Sequence, residues 1–187
     1  MFFGLFGKKE TDNFSKKFIN IIYASDVAKQ KGIIKYAQEN SDTIFLAWFT
    51  NTANNYKKLF LAKSLDENKI VEAILFSAAK YQHQKIIFLE HFPLRAKEER
   101  LVQNCMQNEF IFFNALTEPI FAYFGSDRII DLMGKMGYKE DDTVKHSMID
   151  KSLLKAQKKI AESVQFETNT SASQADWMLV NVGSAKI

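Results

Sequence analysis

Phe110–Val164 reads FIFFNALTEPIFAYFGSDRIIDLMGKMGYKEDDTVKHSMIDKSLLKAQKKIAESV. Its residue order, beyond its apolar pattern, decides the fold. The apolar run Phe110–Leu116 predicts a strand buried on both faces. Thr117 and Pro119 open a helix behind it, since proline is well placed in a first helical turn. Gly125-Ser126-Asp127-Arg128 breaks and restarts that helix, and Gly134 and Gly137 end it. Lys139–Asp142 predicts an acidic loop. Ser147 with Asp150 reads as a capping pair for one last long helix. Leu153, Leu154, Gln157, Ile160, Ala161 and Val164 form an apolar stripe on it, with Lys151, Lys155, Lys158 and Lys159 mainly outside. That stripe needs a cover: the sheet domain, a partner, or a second copy of the chain.

Outward from this stretch, further strands announce themselves as short apolar runs: Phe18–Ala24 (FINIIYA), Thr43–Phe49 (TIFLAWF) and Lys85–Glu90 (KIIFLE). Ser25-Asp26 caps a helix running to about Asn40, with Val27, Ile34 and Ala37 inward. Asn51 to Ala62 is a helix with Tyr56, Leu59 and Phe60 on one side. Glu67–Gln82 shows Ile70, Ala73, Ile74, Ala78 and Tyr81 at helical spacing, although Val71–Phe76 also fits a strand. After the turn His91-Phe92-Pro93, Leu94–Asn108 predicts a helix with Leu101, Val102, Cys105 and Met106 aligned. Alternating strands and helices with buried strands predict an α/β fold, its sheet mostly parallel and covered on both faces. Beyond Phe166 the chain is polar until Trp177-Met178-Leu179-Val180, which predicts a docked C-terminal segment.

The bulk numbers set limits. A length of 187 residues accommodates one α/β domain with a helical appendage, and is short for a motor with two nucleotide-binding domains. Hydrophobic residues make up 47% and aromatics 13%, ample for a core. Lys plus Arg number 25 against 22 Asp plus Glu, a mild excess spread along the chain that gives no nucleic-acid signal. Cys105 is the single cysteine, so no intramolecular disulfide forms, and a reducing cytoplasm is the simplest compartment. No apolar run approaches the length that spans a bilayer, and no signal-peptide pattern stands at the N-terminus.

The central stretch resembles the SecA preprotein translocase family at the junction where the second motor domain passes into the helical scaffold. The matching pieces are Phe124-Gly125-Ser126-Asp127-Arg128-Ile129, Leu132-Met133 with Gly137, Val144-Lys145-His146 with Met148-Ile149, and Lys151-Ser152 with Ala156-Gln157-Lys158-Lys159. Their order and spacing agree over about fifty residues. The resemblance implies a RecA-like domain over residues 18–124 and a helical scaffold-like extension with its tail over 125–187, preceded by an N-terminal segment and linker over 1–17. That segment, MFFGLFGKK, crowds Phe2, Phe3, Leu5 and Phe6 against Lys8 and Lys9. It suits a bilayer interface with anionic headgroups, or a partner, and is similar to the amphipathic N-terminus with which the SecA motor touches lipid. A greasy terminus packed on its own domain is the plainer alternative.

The phosphate-handling chemistry of such a motor is not legible. No Gly-x-x-x-x-Gly-Lys-Ser/Thr loop occurs, nor G-x-G-x-x-G. Where the family's arginine finger is expected stand Val102, Gln103, Asn104, Cys105 and Met106, with Arg95 and Arg100 only near the helix start. We therefore expect no catalytic residue, no cofactor and no metal, since His83, His91, His146 and Cys105 lack ligand spacing. Each histidine reads as a surface or turn residue. A vestigial polar pocket is expected at the carboxyl edge of the sheet, from Ser25, Asp26, Thr50, Asn51, Glu90 and His91. The expected role is a non-catalytic accessory or binding protein, acting through a protein partner of the export machinery, the channel or the motor itself. Its expected place is cytoplasmic, peripheral to the inner membrane. A nucleotide or small-ligand sensor or enzyme at the sheet edge, and a structural homo-oligomer, are the rival readings.

Overall fold

The structure is a computed structural model, and it describes residues 14–139, 142–144, 147–170 and 172–183. Its first half runs β1 (Lys17–Tyr23), α1 (Asp26–Glu39), β2 (Thr43–Ala47), α2 (Thr50–Ala62), β3 (Ile70–Glu72) and β4 (Lys85–Phe88). Its second half runs α3 (Arg95–Val102), β5 (Glu109–Ala115), α4 (Pro119–Ala122), α5 (Asp127–Lys135), β6 (Thr143–Val144), α6 (Ser147–Ser163) and α7 (Gln174–Val182). The strands form one sheet in the order β3-β2-β4-β5-β1-β6. All pairs are parallel except β1 with the two-residue β6. The fold is thus mixed α/β around a mostly parallel sheet.

Strand residues alternate between two cores, which is why these runs are apolar throughout. Phe45, Ala47, Ile87 and Phe113 face Ala28, Ile33 and Ala37 of α1 and Ala53, Tyr56 and Phe60 of α2. Ile44, Leu46, Ile86, Phe88, Phe110 and Phe112 face Val102 and Cys105 beside α3. Each fully buried phenylalanine contributes about 1.5–3 kcal/mol over leaving it in water. Gly32 lets α1 sit close on the sheet: a Cβ there would lie 2.0 Å from the Tyr23 hydroxyl oxygen.

A third core gathers α4–α7 with Ile22, Phe49 and Phe92. The stripe of α6 is covered by this core, with Leu153, Ala156, Gln157 and Ile160 buried; Leu154 and Ala161 lie outside it. Trp177 and Met178 of α7 are fully buried, so the C-terminal segment is docked. Gly125 and Gly137 adopt φ of 81° and 78°, the left-handed backbone that breaks the chain before α5 and stops it afterwards. Gly134 lies inside α5.

Four local expectations need correction. Glu67–Gln82 is not a helix: a 3-10 turn (Glu67–Lys69), β3, and a second 3-10 turn (Ala73–Leu75) precede irregular turns. Ile70 and Val71 pair with β2 at the sheet edge while Ile74 is 87% exposed, so the apolar spacing never made one face. The inward stripe of α1 includes Ala28 and leaves Val27 exposed. Helix α3 stops at Val102, because Gln107 instead bonds the backbone of Ile86, tying this turn to β4. Strand β2 stops at Ala47, because the next two backbone N–H groups are taken by a side chain, described below.

Candidate functional site

The carboxyl ends of β1, β2, β4 and β5 open onto a cleft of about 480 Å³. Its lining includes Asp26 and Lys29 from α1, Asn51, Thr52 and Tyr56 from α2, Glu90 after β4, Glu118 before α4, and Gln174 of α7. Loops at this edge of a parallel sheet are where such folds hold ligands. Both sheet-edge helices that begin here are already capped by protein oxygens. Ser25 Oγ accepts from the Ala28 N–H at 3.2 Å and caps α1. Helix α2 starts at an uncapped Phe49, and Glu90 supplies the missing cap from β4. Its Oε1 accepts from the Trp48 and Phe49 N–H groups at 3.1 and 3.2 Å, and its Oε2 from the Thr52 hydroxyl at 2.8 Å.

Beside it lies a buried ion pair. Lys29 Nζ donates to Glu118 Oε1, and Ala115 N–H donates to the same oxygen at 3.1 Å. Glu118 Oε2 is buried and accepts no hydrogen bond from the described residues. Burial alone would lower the Lys29 pKa. The negative charge of Glu118, with that of Glu90 when it is ionised, outweighs that and holds it above its ordinary value. Burial pushes the Tyr56 phenol up against the pull of Lys29. Burial also raises Glu90 to about 7, opposed by Lys29, the Thr52 hydroxyl and the Phe49 N–H.

Of the expected pocket residues, Asp26, Asn51 and Glu90 line the cleft, whereas Ser25 caps α1. The Thr50 hydroxyl donates to Glu72 on the edge strand at 3.0 Å. His91 is a correction: it is neither a surface residue nor part of the lining. Its ring is fully buried and stacked on Phe112 at 4.2 Å, with Nδ1 2.8 Å from Glu98 Oε1 and Nε2 2.7 Å from Asn20 Oδ1. Neighbouring residues leaving a strand alternate in direction, so Glu90 meets α2 while His91 meets α3. Glu98 also accepts from Phe92 N–H at 2.8 Å and from Gln157 Nε2 at 3.1 Å, which ties α3 to α6.

Lys29, Thr52, Tyr56, Glu118 and Gln174 escaped the sequence reading. Two of them carried a signal there: Tyr56 stood on the apolar side of α2, and Lys29 one turn before Ile33 and two before Ala37 on the inward stripe of α1. The candidate membrane or partner contacts Phe2, Phe3, Leu5, Phe6, Lys8 and Lys9 lie outside the described residues, as does His146. Among the described residues no His, Cys, Asp and Glu cluster is arranged to hold a metal, and no helix is long and apolar enough to cross a membrane.

A second concavity, of about 360 Å³, is apolar. Leu132 and Met133 of α5, with Met136 just after it, face Met148 and Ile149 of α6 across it.

No family model matches the chain. It is similar over 54 residues, 29% of its length, to the protein translocase subunit SecA of several Chlorobium, Pelodictyon and Chlorobaculum strains. Identity is 46% with that of Chlorobium phaeovibrioides and 48% with that of Chlorobaculum tepidum. It is 44% with the protein translocase subunit SecA 1 of Chlorobium chlorochromatii. The chain spans about 5% of the length of these curated relatives. It therefore contains a SecA-related region, and the remaining seven-tenths lie outside that likeness.

Proposed function

We propose that the chain is a non-catalytic, SecA-related binding protein that works with the protein-export machinery at the cytoplasmic face of the membrane. On this reading a RecA-like sheet serves as scaffold, and the segment Met1–Lys9 assists at the lipid surface. The partial SecA likeness carries the link to translocation. The cleft supports the loss of phosphate handling: the N-termini of α1 and α2, natural anion sites, are occupied by Ser25 and by the Glu90 carboxylate. The cleft's lysine is engaged with Glu118. A phosphate arriving there would meet Glu118 and, above a pH of about 7, an ionised Glu90, like charge against like charge.

Affinity capture of the full chain from a detergent extract tests the reading. We expect a SecA motor or a channel component to be recovered. A folded, abundant bait that recovers no export component overturns it. Titration with ATP, ADP and GTP tests the non-catalytic half. A nucleotide at a hundred times its dissociation constant stabilises its host by about 2.7 kcal/mol, and we expect no such shift.

A second reading, a small-ligand sensor, is favoured by one observation: a polar cleft of ligand size in which Glu118 Oε2 has no partner.

A further inference from the structure

The Lys29–Glu118 pair has bonding capacity left on both sides. An ammonium carries three N–H donors, and Lys29 spends one of them, on Glu118. Glu118 spends Oε1 twice and Oε2 not at all. Lys29 is 4% and Glu118 7% exposed, yet both residues belong to the cleft lining, so this unspent capacity lies just beneath its floor. A buried carboxylate oxygen left without a donor is destabilising, and a ligand supplying one relieves that.

The surroundings narrow the ligand. Three carboxylates line the cleft, those of Asp26, Glu90 and Glu118, against the single cation of Lys29 and no arginine. At the helix N-termini the Ser25 hydroxyl already takes the Ala28 N–H of α1, and the Glu90 carboxyl group sits against the start of α2, where a phosphate would otherwise bind. A polyanion is repelled, and an apolar molecule leaves the floor unsatisfied. The complement is a small molecule presenting one positive and one negative group side by side.

Resting on the second reading above, we propose that the cleft binds a free zwitterion of the α-amino-acid class. Its carboxylate meets Lys29 Nζ, and its ammonium meets Glu118 Oε2 with Asp26 at the rim.

The test is isothermal titration of the full chain with the proteinogenic amino acids one at a time. The N-acetyl and methyl-ester derivatives of the best binder follow, each removing one of the two charges. Glucose and ATP serve as neutral and polyanionic probes. We expect saturable binding of at least one amino acid, weakened about tenfold or more by either derivative. We also expect it to be abolished in the double variant Lys29→Met/Glu118→Leu. That variant removes both charges together, so neither is stranded in the core, and its circular dichroism spectrum must match the parent's for the loss to count. No saturable binding by any amino acid, a derivative binding as tightly as its parent, or unchanged binding by the double variant overturns the proposal. Binding of glucose or ATP alone would overturn the zwitterion while leaving the cleft a ligand site. Silence from every probe removes both. The export capture experiment stands apart from each of these outcomes.

Discussion

Glu90→Gln separates the structural role of the Glu90 side chain from its charge. The carboxamide oxygen can still accept from the Trp48 and Phe49 N–H groups, and the Thr52 hydroxyl can turn to accept from the amide. The cap on α2 survives, and only the titrating proton is lost. In the unfolded chain Glu90 ionises near its ordinary value of 4.5, whereas in the fold it holds its proton to about 7. Between those values the folded state binds more protons than the unfolded one, so this group's contribution falls as pH rises. It is fully present below about 4.5 and gone above about 7. At about 1.4 kcal/mol for each tenfold change in proton affinity, the gap amounts to about 3 kcal/mol. Urea denaturation followed by circular dichroism, across that window, measures it. Relative to the parent, Glu90→Gln should gain about 3 kcal/mol from the acid end to the neutral end. A parent–variant difference that stays constant to within about 1 kcal/mol would mean that Glu90 ionises in the fold as it does in water, and the reasoning would fail. Glu90→Ala, which in addition orphans both N–H groups, should be about 2–6 kcal/mol less stable than Glu90→Gln at any pH.

Three further outcomes follow from the packing and the sequence. Trp177→Ala removes a fully buried indole from the core shared by α4–α7. It should cost about 3–5 kcal/mol in urea denaturation, and a cost below about 1 kcal/mol would show that α7 is loosely held. Gln157→Leu loses the donations to Phe92 O at 2.8 Å and Glu98 Oε2 at 3.1 Å. We expect about 1–3 kcal/mol of destabilisation, and an unchanged midpoint would deny α6 that tie. Changing Phe2, Phe3 and Phe6 together to Ser should abolish flotation of the chain with liposomes containing anionic lipid. Flotation equal to the parent's would remove the anchor from the proposed function.

Much of the sheet was legible because its strands are buried on both faces and therefore continuously apolar, a pattern few other elements produce. Phe110–Leu116 and Phe18–Ala24 both match observed strands to within a residue or two at each end. The stretch Glu67–Gln82 failed for the opposite reason. Its apolar residues are divided among the edge strand β3, the 3-10 turn Ala73–Leu75 and the irregular turns that follow, and helical spacing arose there by coincidence. At the cleft, Asp26, Asn51 and Glu90 could be guessed, because strand ends in a parallel sheet converge. Glu118 could not, since a glutamate before a proline reads as an ordinary helix start. Its ion pair with Lys29 bridges 89 residues of sequence. His91 was misread because turn composition around Pro93 says nothing of where a side chain points. Its burial depends on Glu98 and Asn20, which approach from other elements.

The strand order also governs how the chain is made. Strand β1 emerges first from the ribosome, yet its long parallel neighbour is β5, with Lys17 opposite Glu109, 92 residues later. At about 5–20 residues per second, translation leaves that edge unmatched for about 5–20 s. During this interval Phe18, Ile19, Ile21 and Ile22 have no lasting partner. Ordering by late arrival makes folding slow and exposes the nascent chain to wrong pairings. The two-residue β6 is made later still, so it closes β1's other side only after the core strands have met.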